Sequence, residues 1–278
     1  MLPDLMLSAG EPAASASAPS RAAADADAQG DAVVVARDAS YAPQGYRSFE
    51  FASLSACRGE VLAAVSRGQA SGRDLLLAVA GLVRPTAGSL AVAGVELAAP
   101  VSNRRFRLRT SERLQRGTVG IGVVTGLLDV DERQTVEEAV RREAGLRGGA
   151  ADEDAVLDLL AELGLATHVD QRLYQLEPAA RLRLTLALAC AGGVQVAVCD
   201  LDDPFVGGAS ADEARSAIGA VREFALRHGT CVIVATHEPV LALDVRAVAL
   251  DIEAAEALDA LKAASGERRP DMEGGDAR

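Results

Sequence analysis

The sequence predicts an α/β protein whose core is a mostly parallel sheet, and two observations favour that class. First, seven short apolar runs alternate with segments of helical pattern along the 278 residues, and strands this apolar are typical of sheets covered by helices on both faces. Second, the region 135–191, between the fourth and fifth runs, lacks a strand pattern. The runs lie at 32–36, 60–65, 89–94, 119–124, 194–200, 230–236 and 246–252. A helix-covered sheet with a helical insertion follows.

Polar segments flank the part of the chain that is expected to fold. Residues 1–30 are rich in Ala, Ser, Asp and Pro, and residues 267–278 are polar and charged. Both are expected to be disordered, because neither has an apolar face to bury. The folded domain should therefore span 31–266. Within it, the region 135–191 contains the segment DEDAVLDLLAELG, whose apolar residues repeat at helical spacing, and we expect a separate helical subdomain there.

Charge and cysteine content argue against several classes of protein. With 40 acidic and 28 basic residues the chain has a net charge of -12, which repels phosphate backbones, so nucleic acid is not expected as a partner. We expect reduced core thiols in the cytoplasm, since the four cysteines lack CxxC spacing. No apolar run reaches the roughly 20 residues that a membrane-spanning helix needs. The chain is therefore expected to be soluble, although it could attach to a membrane protein as a peripheral partner.

Polar residues follow three of the predicted strands, where open α/β sheets carry their chemistry. The run at 60–65 is followed by SRGQASGRD, the run at 194–200 ends in an aspartate and continues as LDDP, and the run at 230–236 is followed by HEP. One such residue is as often a turn, a cap or an exposed side chain as a ligand. Three in this order, around a helical insertion, predict a functional site at that edge of the sheet.

Several segments resemble the ATP-binding cassette of ABC transporters. They are GEVLAAV with LLLAVAGLVRPTAGSLAVAGVEL, then QTVEEAV, YQLEPAARLRLTLALA, VAVCD and VIVATHE, in the order of the family and covering about 32–251. The resemblance implies a P-loop NTPase-like fold, ATP and Mg²⁺ as ligands, and a position on the inner face of the cell membrane. It also implies two partners, a membrane permease and a second nucleotide-binding subunit.

The resemblance places the phosphate loop at 66–74, where the family's chemistry is altered. A gapless register puts Gly72 at the position of the phosphate-binding lysine and Arg73 at that of the magnesium-binding Ser/Thr, with Asp74 next. Of the loop glycines Gly68 and Gly72 remain, both shifted, and Ser71 stands where the family has Gly. Without the lysine, the loop loses an attraction to phosphate of about 4 kcal/mol, the value for two unit charges ~4 Å apart at an effective dielectric near 20.

Two residues of this loop have competing interpretations. Arg73 could replace the lysine, but one residue turns a helical side chain by about 100°, which would direct it away from the phosphate. Asp74 could oppose phosphate, or it could stabilise the first helical turn with no ligand at all.

Other positions of the family pattern are altered too. The glutamine that contacts the metal corresponds to Gly126, and the signature sequence corresponds to 176–180, where Glu177 places an anion and Pro178 removes a donor. Tyr41 stands near the position of the aromatic residue that stacks on adenine in the family, and Tyr46 is the alternative for that position.

The acidic strand end has two possible registers. Asp200 is the magnesium-linked aspartate if the spacing is counted from Arg183, and Leu201 then replaces the catalytic glutamate. Alternatively, Asp202 and Asp203 precede the proline of the D-E-P pattern. Asp200 is thus the candidate metal ligand. Asp203 is a candidate catalytic residue, together with His237, which matches the family's switch histidine.

The resemblance predicts a transporter ATP-binding subunit with a degenerate nucleotide site and weak or absent hydrolysis. A stand-alone pseudo-ATPase with a regulatory or protein-binding role is the alternative. An active ATPase that uses Arg73 in place of the lysine is a third.

Overall fold

A computed structural model of the protein describes residues 32–98, 113–149 and 151–266. The segments expected to be disordered, 1–30 and 267–278, lie outside the described residues. Within the described part there are two sheets and six α-helices. An α/β fold with a parallel sheet is confirmed.

The first sheet is antiparallel, with the strand order β2-β1-β4-β5. The sequence pattern missed two of its members, β2 and β5. The hairpin between β4 and β5 turns through Ala93 and Gly94, which both have positive φ (50° and 79°), as a tight two-residue turn requires. The strands are β1 (Ala32–Tyr41), β2 (Phe49–Cys57), β4 (Ala87–Val92) and β5 (Val95–Ala98).

The second sheet is entirely parallel, with the order β6-β7-β8-β3-β9. Every residue of β3, β7 and β8 is buried, as their continuous apolar sequences predict. In the register, Val65 pairs with Thr236 and Asp200 with Ala235, so these three strands end side by side. The strands are β3 (Val61–Val65), β6 (Val119–Ile121), β7 (Val196–Asp200), β8 (Cys231–Thr236) and β9 (Arg246–Ala249).

In the described part, α1, α4, α5 and α6 pack on strands of the parallel sheet, whereas α2 and α3 pack mainly on other helices. Several helices begin or end at recognisable signals. α2 and α5 each start with a capping box, from Thr135 and Ser210, and their C-caps, Gly148 and Gly229, are left-handed. The helices are α1 (Gln69–Val79), α2 (Val136–Arg147), α3 (Glu153–Glu162), α4 (Pro178–Cys190), α5 (Ala211–His228) and α6 (Ile252–Gly266). None of the helices in the described part is long and apolar enough to span a membrane.

Alternate residues of the parallel strands face two different apolar clusters. In β3, Leu62 and Ala64 pack with α1 and the antiparallel sheet, whereas Ala63 and Val65 pack with α2, α4 and α5. α1 thus lies against both sheets, and its N-terminus is held beside the ends of β3, β7 and β8. That arrangement positions the candidate site.

Candidate nucleotide site

The segment 66–68 is all that separates β3 from α1. The helix begins at Gln69, three residues before Gly72. The Ser71 backbone N–H donates to the Gly68 carbonyl at 2.9 Å, and the Ser66 hydroxyl donates to the same carbonyl at 2.9 Å. The Ser71 hydroxyl donates to the Ser48 carbonyl. Ser71 and Gly72 therefore belong to the first helical turn, and the two serine hydroxyls are engaged with protein carbonyls.

Gly72 marks a close approach between α1 and the sheet. A Cβ added to this residue would lie 2.8 Å from the Cβ of Ala235 in β8, which is closer than real Cβ atoms come to one another. The side-chain direction at position 72 therefore points at a buried strand. Glycine at this position is accounted for by packing.

Arg73, the next residue, reaches the end of β7. Its Nε donates to Asp200 Oδ2 at 3.2 Å and its Nη2 donates to Asp203 Oδ2 at 3.0 Å. The Arg73 side chain is 26% exposed, whereas those of Asp200 and Asp203 are 2% and 0% exposed. The guanidinium thus bridges two buried carboxylates and joins α1 to the strand end.

Four donors surround the carboxylate of Asp203. Its Oδ2 accepts from Arg73 and from the Thr125 backbone N–H at 2.8 Å. Its Oδ1 accepts from the Thr125 hydroxyl and from the Phe205 N–H at 2.9 Å. A carboxylate has about four lone-pair sites, so those of Asp203 are all engaged. The candidate catalytic residue Asp203 therefore lies buried and links α1, the segment after β6 and the turn after β7.

Asp200, the candidate metal ligand, is the last residue of β7. Burial raises its pKa to about 6, against the opposing effects of the Asp202 backbone N–H and of Arg73. Its Oδ1 accepts the Asp202 N–H at 3.0 Å, and its Oδ2 accepts from Arg73. The carboxylate lies at the end of a parallel strand, as the sequence predicts, and is paired with a protein cation.

His237, after β8, contacts Asp202 rather than Asp203. Its backbone N–H donates to Asp202 Oδ2 at 2.6 Å, and its Nδ1 lies 2.6 Å from Asp202 Oδ1. Its Nε2 lies 3.4 Å from the carboxylate of Glu238. Burial raises the pKa of Asp202, and His237 opposes that shift. His237 and Asp202 are 35 positions apart in the sequence. The only sequence signal for their contact is that each follows one of two neighbouring strands.

The remaining candidates lie around the start of α1. Gly68 is the N-cap of α1. Asp74 was expected in the first helical turn, but it lies in the second, because the helix starts at Gln69. Tyr41 is half-buried at the end of β1, and its ring centroid is 6.2 Å from that of Phe49 on β2.

The segments at the glutamine and signature positions have different surroundings. Gly126 has a φ of 81° and donates its N–H to Asp129 at 2.8 Å. Glu177 is the N-cap of α4 and Pro178 its first residue. The signature segment thus begins a helix, and a proline and a carboxylate stand at its N-terminus.

An apolar groove of about 460 Å³ lies between the C-terminal end of α1, β6 and α2. Leu82, Leu127 and Leu146 line it and are each more than half exposed. Four charged residues also line the groove beside its apolar side chains: Asp129, Arg142, Glu143 and Arg147. A surface of this kind suits the apolar face of a partner helix.

Comparison with known proteins identifies relatives over about two thirds of the chain. No family model matches the chain. It is 28% identical over 182 residues to the methionine import ATP-binding protein MetN of Streptomyces coelicolor, covering 65% of this chain and 50% of that protein. It is 29% identical over 189 residues to the lipoprotein-releasing system ATP-binding protein LolD 1 of Caulobacter vibrioides, covering 66% and 76%. The chain spans about half the length of the MetN relatives it matches.

Solved structures share the fold. A nucleotide-free ATP-binding cassette from an ABC transporter superposes with a TM-score of 0.60 at 12% identity, covering 86% of this chain and all of that one. An ATP-binding subunit of an ABC transporter superposes with a TM-score of 0.55 at 20% identity, covering 78% and 85%. These likenesses show the ABC ATPase fold.

Proposed function

Because this chain is a relative of the ATP-binding subunits of ABC transporters and has the ABC ATPase fold, we propose that it is a transporter subunit with a degenerate nucleotide site. It binds ATP weakly and hydrolyses it at background rate. One observation carries the proposal: the Arg73 guanidinium is bonded to Asp200 and Asp203, the acidic groups that metal-dependent chemistry would require.

Phosphoryl transfer depends on a metal, positive charge and a placed water acting together. Here Gly72 stands where the resemblance expects a lysine, and its side-chain direction is filled by Ala235. Leu201, at the position of the catalytic glutamate in one register, is 7% exposed and has no group that can activate water. In the other register Asp203 is engaged by four donors. Each requirement of the reaction is weakened by a different residue.

The local charge also disfavours a bound nucleotide. Arg73 carries one positive charge, and Asp200 and Asp203 carry two negative charges when both are ionised, so the cluster has a net charge of -1. Losing about 4 kcal/mol of attraction to phosphate corresponds to roughly a thousandfold weaker binding. We therefore expect ATP to bind at hundreds of micromolar or more weakly.

Calorimetric titration of ATP and Mg²⁺ into the purified chain tests the nucleotide part of the proposal. The matched control is the MetN relative from Streptomyces coelicolor under the same conditions. Low-micromolar binding with Mg²⁺-dependent turnover would refute the degenerate site. Loss of that turnover in a folded Arg73→Ala variant would then identify an ATPase that uses Arg73.

The partners that we propose are a membrane permease and a second nucleotide-binding subunit, with the chain on the cytoplasmic face of the membrane. The apolar groove lined by Leu82, Leu127 and Leu146 supports the first of these partners, because a permease could lay a short amphipathic helix into it.

Co-expression with a permease tests this arrangement. The chain should move from the soluble fraction to membranes, and Leu127→Ser with Leu146→Ser should abolish that association. Leu226→Ser, which changes a leucine that is 76% exposed on α5, is the matched control and should leave it unchanged. A chain that stays soluble beside every candidate permease would favour the stand-alone pseudo-ATPase.

A further inference from the structure

The divalent metal that the family implies does not fit the acidic groups of this chain. Among the described residues there is no cluster of three His, Cys, Asp or Glu side chains arranged to hold a metal ion. Asp200 and Asp203, the two carboxylates at the end of β7 that share Arg73, offer little to a metal, because the lone pairs of Asp203 are all engaged by protein donors. Magnesium demands near-octahedral oxygen coordination, which a saturated carboxylate does not supply.

The cation needed at this point is present in the protein itself. Arg73 lies 3.0–3.2 Å from both carboxylates, and arginine keeps its charge at any physiological pH. Its planar guanidinium meets the two carboxylates through two different nitrogens, Nε and Nη2. Because the cation is tethered to α1, it cannot dissociate as a metal ion does.

We infer that Arg73 is a permanent internal cation that takes the place of a divalent metal between Asp200 and Asp203. This inference deepens the proposed function and rests on it, since it explains how a site without metal keeps its two carboxylates buried. Arg73 is a positioning residue, because it acts through the carboxylates and holds α1 to the end of β7.

The contacts that Arg73 makes with Asp200 and Asp203 also connect α1 and β7 to a third segment of the chain. Asp203 also accepts two hydrogen bonds from Thr125, which follows β6. Arg73 and Thr125 therefore meet on one carboxylate, and the link between them requires no nucleotide or metal. The chain should hold this arrangement permanently, whatever ligand is present.

Binding of Mn²⁺, followed by electron paramagnetic resonance without any nucleotide, tests the inference. Wild type should bind no Mn²⁺ at this site at millimolar concentration. Arg73→Ser frees Asp200 Oδ2 and one lone pair of Asp203 Oδ2, which still accepts the Thr125 N–H, and it adds a hydroxyl. The variant should therefore gain one Mn²⁺ site that binds at least tenfold more tightly than any Mn²⁺ binding by wild type. Asp200→Asn in the Arg73→Ser background should abolish that site.

Two controls separate the internal cation from ordinary packing. Arg73→Lys keeps a tethered positive charge, so it should fold and gain no Mn²⁺ site. Arg215→Ser removes the guanidinium of a comparable pair, to Asp244, that is 40% and 28% exposed, and it should also gain none. If Arg73→Ser folds only when Mn²⁺ is added, that rescue supports the inference.

Three results would overturn it. The first is stoichiometric Mn²⁺ binding by wild type that Asp200→Asn abolishes. The second is an Arg73→Ser variant that binds no Mn²⁺, whether it folds or stays unfolded when the ion is added. The third is an Arg73→Lys variant that gains the same Mn²⁺ site as Arg73→Ser. Since no nucleotide is present, these results bear on the internal cation alone, whereas ATP titration of wild type decides the degenerate site.

Discussion

Removing the positive charge of Arg73 should destabilise the protein because it leaves two carboxylates buried without their cation. In Arg73→Met the side chain keeps most of its apolar length, so the main loss is electrostatic. Breaking a buried ion pair costs about 3–5 kcal/mol, and we reduce this to about 2–4 kcal/mol because Arg73 is 26% exposed. Asp203 keeps three donors, and Asp200 keeps the Asp202 N–H.

Urea unfolding near neutral pH in the presence of EDTA measures this loss as a change in the free energy of unfolding. The matched control is Arg215→Met, which breaks a two-bond pair with Asp244 on the surface. An exposed pair contributes about 0–1 kcal/mol, so the control should lose clearly less stability than Arg73→Met.

A double-mutant cycle isolates the contact itself. If the loss of stability arises because Asp200 is left charged and without its cation, Asp200→Asn should recover part of the lost unfolding free energy in the Arg73→Met background. The coupling energy should be at least about 1 kcal/mol. Equal losses in Arg73→Met and Arg215→Met, or independent effects of Arg73→Met and Asp200→Asn, would refute the electrostatic argument.

Two further predictions concern packing and thiol chemistry. Gly72→Ala should destabilise the protein by about 1–3 kcal/mol through overpacking against Ala235. The control is Gly219→Ala in α5, whose added Cβ meets no described atom within 4 Å and which should stabilise the protein by up to about 1 kcal/mol. Equal effects of the two substitutions on thermal unfolding would contradict the close approach at Gly72. Iodoacetamide should modify the half-buried Cys57 before Cys190, because burial raises the pKa of the Cys190 thiol to about 12. Mass spectrometry of the native protein measures the order of modification, and modification of Cys190 first would contradict this prediction.

The parallel core could be predicted because its strands have continuous apolar sequences. β3, β7 and β8 are buried along their whole length, and such strands produce a signal that requires no knowledge of their neighbours. The strand β2 was missed, since its residues alternate irregularly between buried and exposed and include several small ones. β5 has only four residues, which is too short for a periodic pattern.

The start of α1 could not be taken from the family pattern. The family pattern places a glycine-rich loop at 66–74, but this chain has Gln69, Ala70 and Ser71 there. These residues lack the freedom of glycine to adopt positive φ, and alanine favours helix. The helix accordingly extends back to Gln69, which moves Asp74 into the second turn.

The ion pairs of the site depend on tertiary contacts that no local pattern contains. Arg73 is separated from Asp200 by 127 positions, and Thr125 from Asp203 by 78. The helical turn of about 100° per residue indicates that Arg73 points away from position 72, but it does not say what the side chain meets. The side chain meets Asp200 and Asp203 because the fold places α1 beside the ends of three parallel strands.

The positive charge of Arg73 is already paired with the strand-end carboxylates. If Arg73 turned toward a phosphate, Asp200 and Asp203 would remain buried as a pair of like charges that lack their cation. If it stays, a phosphate meets a cluster whose positive charge is already offset by two carboxylates 3.0–3.2 Å from the guanidinium. Either course makes phosphate binding unfavourable. Under the proposed function, the altered loop and the intact fold are therefore consistent with each other, because Arg73 would both disfavour phosphate at this site and keep Asp200 and Asp203 paired while they are buried.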